Sequence, residues 1–385
     1  MIPYGKQTLA DEDIAAVVDA LRSDWLTQGP LVERFEQALA KRCGVRHAVV
    51  VANGTVALHL ACVVAGMKPG DEGITSSLTF LASANCMLYC GATPVFVDIC
   101  PTTWNMDTRG LESAVTDRTR VIIPVHFAGL PCEMREIRAL ARNRGLTIVE
   151  DACHALGATY DGLSIGACEG SDMVCLSFHP VKHITTGEGG AILTQDDSVA
   201  ERLRQVRHHG ISRDPARWER HDGPWYYEVN ELGFNARLTD IQCALGISQL
   251  SRLDSFLERR KAIADRYRRE LSDIPGLRLQ EVASDRTHAY HLFVIHIDPL
   301  HFSRARVYQA LRAEGILAQV HYVPVHTQPI MRRVGRTVGT MIETEKYYAG
   351  CLSLPMYPSL LASEQTKVIQ ALRRALGVQR GEDEA

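Results

Sequence analysis

Lys182 sits in the stretch Ser177-Phe178-His179-Pro180-Val181-Lys182-His183-Ile184-Thr185-Thr186-Gly187-Glu188-Gly189-Gly190, between the apolar runs Met173 to Leu176 and Ala191 to Leu193. The runs read as core strands, so the lysine is presented on a loop at a sheet edge. A desolvated lysine loses its proton, and the neutral amine can attack a carbonyl to form a Schiff base. The ordinary reading of a loop lysine is a solvated charge, and other stretches must decide between the two. In Glu150-Asp151-Ala152-Cys153-His154 an apolar strand ends in carboxylates; Asp151 on its own reads equally well as a helix cap. In Asn53-Gly54-Thr55 a strand meets a helix start, where backbone N–H groups and the threonine hydroxyl could hold a phosphate. A plain turn with an N-capping threonine looks the same. Cys153 is the one cysteine placed like a nucleophile, although a small filler beside a site fits it better.

These residues need a scaffold. The chain has 385 residues, 46% hydrophobic and 23% charged, enough for one large core and a second smaller one. Net charge is -3 and the sequence pI about 6.6, so no basic field exists to hold a nucleic acid or an anionic membrane. The start Met1-Ile2-Pro3-Tyr4-Gly5-Lys6 has no apolar signal core, and no run of about 18 apolar residues occurs. A cytoplasmic protein is expected. The eleven cysteines lie among apolar neighbours with no C-x-x-C pair, which reads as reduced core residues rather than disulfides or metal ligands.

In chain order, Asp11 is expected to cap a helix with Ile14, Val17, Val18 and Leu21 on one face. A second helix opens at Pro30 and stops at Gly44. Strands and helices then alternate: strand 47–51, helix 55–65, a strand near Ile74, helix 81–90, strand 94–98, a helix after Asp107, strand 121–125, helix 133–142 and strand 146–150. Alternation implies parallel pairing, right-handed crossovers and a sheet covered on both faces, with ligands beyond the strands' carboxyl ends. From Thr239 to Leu271 the pattern predicts long helix with one break, and Glu258-Arg259-Arg260-Lys261 reads as a solvated face. Short mixed elements follow: strand 290–297, helix 305–314, strand 318–322 and helix 363–376. The expected division is a large cofactor-binding domain over 1–255 with an N-terminal arm, a smaller α+β domain over 256–380, and a disordered tail over 381–385.

The three strand ends now combine. A lysine that forms a Schiff base, a carboxylate that keeps a pyridine nitrogen protonated, and a phosphate cup are the set required by a pyridoxal phosphate enzyme.

The stretch Ser177 to Gly190 and the stretch Glu150-Asp151-Ala152-Cys153-His154-Ala155-Leu156-Gly157-Ala158 closely resemble motifs of the DegT/DnrJ/EryC1/StrS sugar aminotransferases, and the resemblance runs from Ile2 to about Leu376. It implies the aspartate aminotransferase fold (fold type I), α/β, with a large mixed, mostly parallel sheet and a smaller α+β C-terminal domain. It implies Lys182 as the Schiff-base lysine and Asp151 as partner of the ring nitrogen. Gly54, Thr55 and Ser177 would cup the phosphate, Phe80 would stack on the ring, and His154 would lie near its other face or its hydroxyl. Asn235 would reach the phosphate of a neighbouring subunit, making the enzyme a homodimer with shared sites; Arg237 either lies nearby or pairs locally.

Within the family, Ile2-Pro3-Tyr4, Trp25-Leu26-Thr27-Gln28-Gly29-Pro30, Val125-His126-Phe127-Ala128-Gly129 and Asp222-Gly223-Pro224-Trp225-Tyr226-Tyr227-Glu228 most resemble the pseudaminic acid branch. That branch moves the amino group of L-glutamate, by way of pyridoxamine phosphate, to C4 of a UDP-4-keto sugar. The product is UDP-4-amino-4,6-dideoxy-N-acetyl-β-L-altrosamine. Other 4-keto nucleotide sugars, such as precursors of perosamine or bacillosamine, are the alternative, and a non-catalytic cofactor-binding regulator is the alternative of another class. Tyr4, Lys6, Thr27, Gln28, His321, Tyr322 and His326 are the candidates to bind the sugar nucleotide; the alternation around His321 also fits a strand with one wet face. Val56, Asn53, Leu78 and Gly73 depart from common family choices. Val56 still offers its backbone N–H to a phosphate. Family dehydratases carry histidine where Lys182 stands, so the lysine favours transamination.

Overall fold

Strand residues with no polar face set the architecture. In β2, His47–Val51, Val50 packs into one core while Val49 and Val51 pack into another, as the period of 2 requires in a sheet buried on both sides. The computed structural model describes residues 1–378, so the expected tail over 381–385 lies outside the described residues. The chain opens with β1, Ile2–Pro3, then α1, Asp11–Arg22, and α2, Pro30–Cys43. Beyond β2 come α3 (Gly54–Val64), β3 (Glu72–Ser76), α4 (Ala82–Tyr89), β4 (Thr93–Val97), β5 (Thr119–Ile123) and β6 (Thr147–Asp151). A two-strand ribbon, β7 (Thr159–Tyr160) and β8 (Leu163–Ser164), precedes β9 (Met173–Ser177) and β10 (Gly190–Thr194).

The main sheet has eight strands, seven of them in the order β4-β3-β5-β6-β9-β10-β2, with the short strand Arg336–Thr337 on the edge of β4. Its ladders are parallel except that β10 runs antiparallel to β9 and to β2. One edge therefore collects the carboxyl ends of β2, β3, β5, β6 and β9 together with the amino end of β10. Ser177 pairs with Gly190 across β9 and β10, so the loop that carries Lys182 is closed at its base.

A second core, with Tyr267, Phe293, Ile295, Leu311 and Leu372, surrounds a three-strand antiparallel sheet of Leu277–Leu279, Phe293–Ile297 and Cys351–Leu354. Ile2 joins that core because β1 pairs in parallel with Ile316–Leu317. The two long helices Asp240–Ser251 and Leu253–Leu271 break at Arg252 as expected.

Three local expectations fail. The first helix is capped at Ala10, not Asp11: Asp13 Oδ2 reaches back to accept from the Ala10 N–H at 2.9 Å. Two of its apolar residues, Ile14 and Leu21, are exposed in the single chain. Arg260 is no solvated charge; it is fully buried and donates from Nη1 to the carbonyls of Tyr290 (3.0 Å), His291 (3.3 Å) and Met356 (3.0 Å). A run of charges hides the one member whose helical phase points inward. The expected strand 318–322 is irregular chain with a single bridge, Gln319 to Ser353, and the strand pairing stops at Leu317, opposite Pro3 of β1.

Candidate active site

A cavity of about 590 Å³ opens at the sheet edge where the strand ends meet. The backbone of Asn53 to Thr55 forms one side of it. Asn53 caps α3, its side chain accepting from Val56 N–H at 2.9 Å, so Asn53 and not Thr55 is the cap. The N–H groups of Gly54 and Thr55 lie in the first turn, where no helix carbonyl can reach them. A Cβ on Gly54 would lie 2.8 Å from Ser177 Cβ, and one on Gly190 would lie 2.6 Å from the Asn53 carbonyl carbon. Only glycines let these segments close into a cradle, and a helix amino terminus with free N–H groups suits a phosphate. The residues present therefore fit the phosphate end of pyridoxal phosphate.

Lys182 and Asp151 both line this cavity, with Gly54, Thr55, Phe80, His154 and Ser177. Burial lowers the Lys182 amine below its ordinary range, while Cys153 and Asp151 oppose the shift. Asp151 ends β6 and is buried; its Oδ2 accepts from Ser83 Oγ at 2.6 Å and its Oδ1 from Cys153 N–H at 3.1 Å. Behind it in the strand, Glu150 is buried in a separate network: His126 Nε2 lies 2.8 Å from its Oε2 and Ser171 donates to Oε1. Burial alone would raise the Glu150 carboxyl, yet His126 and Ser171 hold it below its usual range.

His154 is buried with Nε2 3.3 Å from the Tyr322 hydroxyl, and its Nδ1 has no partner. Its ring lies 4.2 Å from that of His291, whose Nδ1 is also unpartnered. Burial, with Lys182 nearby, drives both imidazoles well below their ordinary range, so they are neutral. Burial and the Asp151 charge push the Cys153 thiol well up, which leaves it a filler rather than a nucleophile.

The outer wall is supplied by Tyr4, Gln319, His321 and Tyr322. His321 is held from behind, Nδ1 lying 2.8 Å from Ser353 Oγ and its carbonyl accepting from Tyr347 OH at 2.8 Å. Lys6, Thr27 and Gln28 are exposed and lie outside the cavity. His326 faces a different depression, against Ser77 and Glu345. Asn235 is exposed outside the chain's own cavity, bridged to His208, and Arg237 Nη1 lies 2.6 Å from His208 Nδ1. Sequence reasoning missed Ser83, Thr79, His291 and Gln319. None belongs to a strand-end motif, and a serine inside a helix gives no pattern signal.

The DegT/DnrJ/EryC1/StrS aminotransferase family matches residues 7–373. The spore coat polysaccharide biosynthesis protein SpsC of Bacillus subtilis is 42% identical over 378 residues, 97% of this chain and 96% of that protein. Among solved structures, DesV of S. venezuelae in complex with a ketimine intermediate is 37% identical with a TM-score of 0.88, covering 96% of this chain and 95% of its own. PseC of Helicobacter pylori, an aminotransferase involved in the biosynthesis of pseudoaminic acid, is 30% identical with a TM-score of 0.90, covering 98% and 99%.

Proposed function

The chain belongs to the DegT/DnrJ/EryC1/StrS aminotransferase family, pyridoxal phosphate-dependent sugar aminotransferases, and from that premise we propose that it moves the amino group of L-glutamate to C4 of a UDP-4-keto-6-deoxy-N-acetylhexosamine. The product on this reading is UDP-4-amino-4,6-dideoxy-N-acetyl-β-L-altrosamine. The observation that carries the reading is one cavity shared by the Lys182 amine, the Asp151 carboxylate and the Gly54–Thr55 helix terminus. The likeness to PseC supports the choice of sugar, and the likeness to SpsC supports a product destined for a surface polysaccharide.

When bound, the cofactor supplies a carbonyl carbon that exchanges amino groups and a ring that accepts electrons. Gly54, Thr55 and Ser177 would hold its phosphate, and Asp151 would hold a proton at the ring nitrogen. Phe80, 54% exposed at the cavity mouth, offers its ring as a platform, with His154 opposite or at the ring hydroxyl. Lys182 would anchor the cofactor, and its freed Nζ would take the proton from the glutamate Cα and pass it on to the cofactor. Its burial favours the uncharged amine that this step needs. With the keto sugar bound, the same amine would carry a proton the opposite way, from the cofactor to C4.

Among the described residues lining the cavity there is no arginine, and Lys182 is the only lysine. Glutamate carries two carboxylates and the sugar nucleotide a diphosphate, and this surface offers them neutral donors but no cation besides Lys182. A second copy of the chain would supply cations, with Asn235 reaching the phosphate held by its neighbour. Exposed Leu9, Trp25, Leu26 and Leu81 offer apolar surface for that contact.

The test is incubation of cofactor-loaded protein with glutamate and a panel of UDP- and dTDP-4-keto sugars, with mass spectrometry of products. Amination of the UDP-4-keto-6-deoxy-N-acetylhexosamine ahead of the others is expected. A dTDP-sugar aminated in preference would overturn the choice of substrate, and no 2-oxoglutarate from glutamate with any sugar would overturn the reaction.

A further inference from the structure

Two hydroxyls behind Asp151 take no part in the steps above. Ser83 Oγ lies 2.6 Å from Asp151 Oδ2, and Thr79 Oγ1 lies 2.7 Å from Ser83 Oγ. Both side chains are sealed from solvent, Ser83 at 0% and Thr79 at 1% exposure. A carboxylate offers only lone pairs, so the Ser83 proton is committed to Oδ2. The proton between the two hydroxyls must then come from Thr79. Donation runs one way, from Thr79 to Ser83 to Asp151, and each bond polarises the next. Asp151 Oδ1 is held separately by the Cys153 N–H. One donor on each oxygen fixes the plane of the carboxylate while leaving each oxygen a lone pair for a donor that arrives from the cavity.

We propose that Ser83, backed by Thr79, is a positioning residue that keeps the cofactor's ring proton on nitrogen rather than on Asp151. Hydrogen bonds donated to a carboxylate favour its charged form, which leaves a shared proton with the ring. Ser83 does this from outside the cavity: Thr79 and Asp151 line it, whereas Ser83 lies in the first turn of α4, beneath them. The inference rests on the reading of Asp151 as partner of the ring nitrogen.

The experiment loads the full chain with cofactor labelled with nitrogen-15 in the ring and reads the ring-nitrogen chemical shift, alongside the rate of the glutamate half-reaction. Wild type is expected to show a protonated ring nitrogen. Ser83→Ala should move the shift toward the unprotonated value and slow the half-reaction roughly 10- to 100-fold, the range for losing a hydrogen bond to a charged group. Ser83→Thr, which restores the hydroxyl, should recover both. Thr79→Val, which conserves shape, should move the shift in the same direction by less. A wild-type shift in both Ser83→Ala and Thr79→Val overturns the inference, whatever happens to the rate. Asp151→Asn separates this failure from that of its premise. If Asp151→Asn loses the protonated shift and Ser83→Ala keeps it, only the relay falls; if Asp151→Asn keeps it too, the reading of Asp151 falls with the relay.

Discussion

The two ends of the cavity are built on different plans. At the sheet end, Asp151, Ser177 and Gly54 sit on or directly after strands whose register is fixed by continuous ladders. At the outer end, Tyr4, Gln319, His321 and Tyr322 stand on irregular chain, held by the lone backbone bridge from Gln319 to Ser353, by the Met356 N–H on the Tyr4 carbonyl, and by the side-chain hydrogen bonds of Ser353 and Tyr347 to His321. Met356, one of the Arg260 acceptors, donates its own N–H to the Tyr4 carbonyl at 2.9 Å, so that cation backs the Tyr4 side of the outer wall. A position set by a ladder moves only if the sheet moves. A position set by one or two side chains can be re-aimed by substitution, so the sheet end suits chemistry held constant and the outer end suits substrate choice.

The contrast can be broken first at Lys182. Lys182→Ala should lower turnover at least about a thousandfold, the scale of a lost proton-transfer group, while circular dichroism shows an intact fold. Steady-state transamination by the purified variant near the wild-type rate would remove the sheet end from the chemistry. Asp151→Asn should still bind cofactor but slow the glutamate half-reaction roughly 100- to 1,000-fold, since an amide cannot stabilise the ring proton by charge. Stopped-flow absorbance with glutamate alone measures it, and a wild-type rate would contradict the role.

At the outer end the effect should be smaller and selective. Replacing His321 and Tyr322 together with alanine is expected to weaken the sugar half-reaction about tenfold and to spare the glutamate half-reaction, because glutamate lacks the diphosphate. Equal losses in both halves would mean that the outer wall serves the cofactor site, and the contrast would dissolve.

A separate effect is on stability. Burial holds His321 down to about 3, and lowers His154, His183 and His291 as well. These imidazoles stay neutral in the fold but take up protons near pH 6.5 once the chain opens. Between about 3 and 6.5 the unfolded chain binds more protons, so stability rises with pH through that window and is lost on acidification. The slope is at most about 1.4 kcal/mol per pH unit for each histidine. Urea midpoints at pH 7, 6 and 5 should fall in wild type and fall less steeply in His321→Gln; parallel slopes would show that His321 is already open to protons in the fold.

What could be read in the sequence follows the same division. The motifs around Lys182, Asp151 and Gly54 were legible because each joins a short apolar run to a turn, and a parallel sheet brings all such ends to one edge. Arg260 was misread because its neighbours Glu258, Arg259 and Lys261 do face outward. Lys6, Thr27, Gln28 and His326 lie outside the chain's own cavity, and residue type and resemblance do not fix the direction of the chain between short elements. Ser83 carries no charge and no periodicity, and only its distance to Asp151 reveals it.

The antiparallel strand β10 also imposes an order on synthesis. β2 is made early, yet its ladder partner is β10 alone, and β10 in turn joins it to β9. Until Thr194 has left the ribosome, β2 has no ladder on either edge, and the segments bearing Gly54 and Ser177 have no pairing to hold them together. A nascent or truncated chain that stops short of β10 therefore has the lysine and the carboxylate but no closed phosphate cradle. It would meet the cofactor's aldehyde, if at all, only as an ordinary solvent-exposed amine. Pairing between strands so distant in the chain is slow to form, and the closeness of Gly54 to Ser177 depends on that pairing.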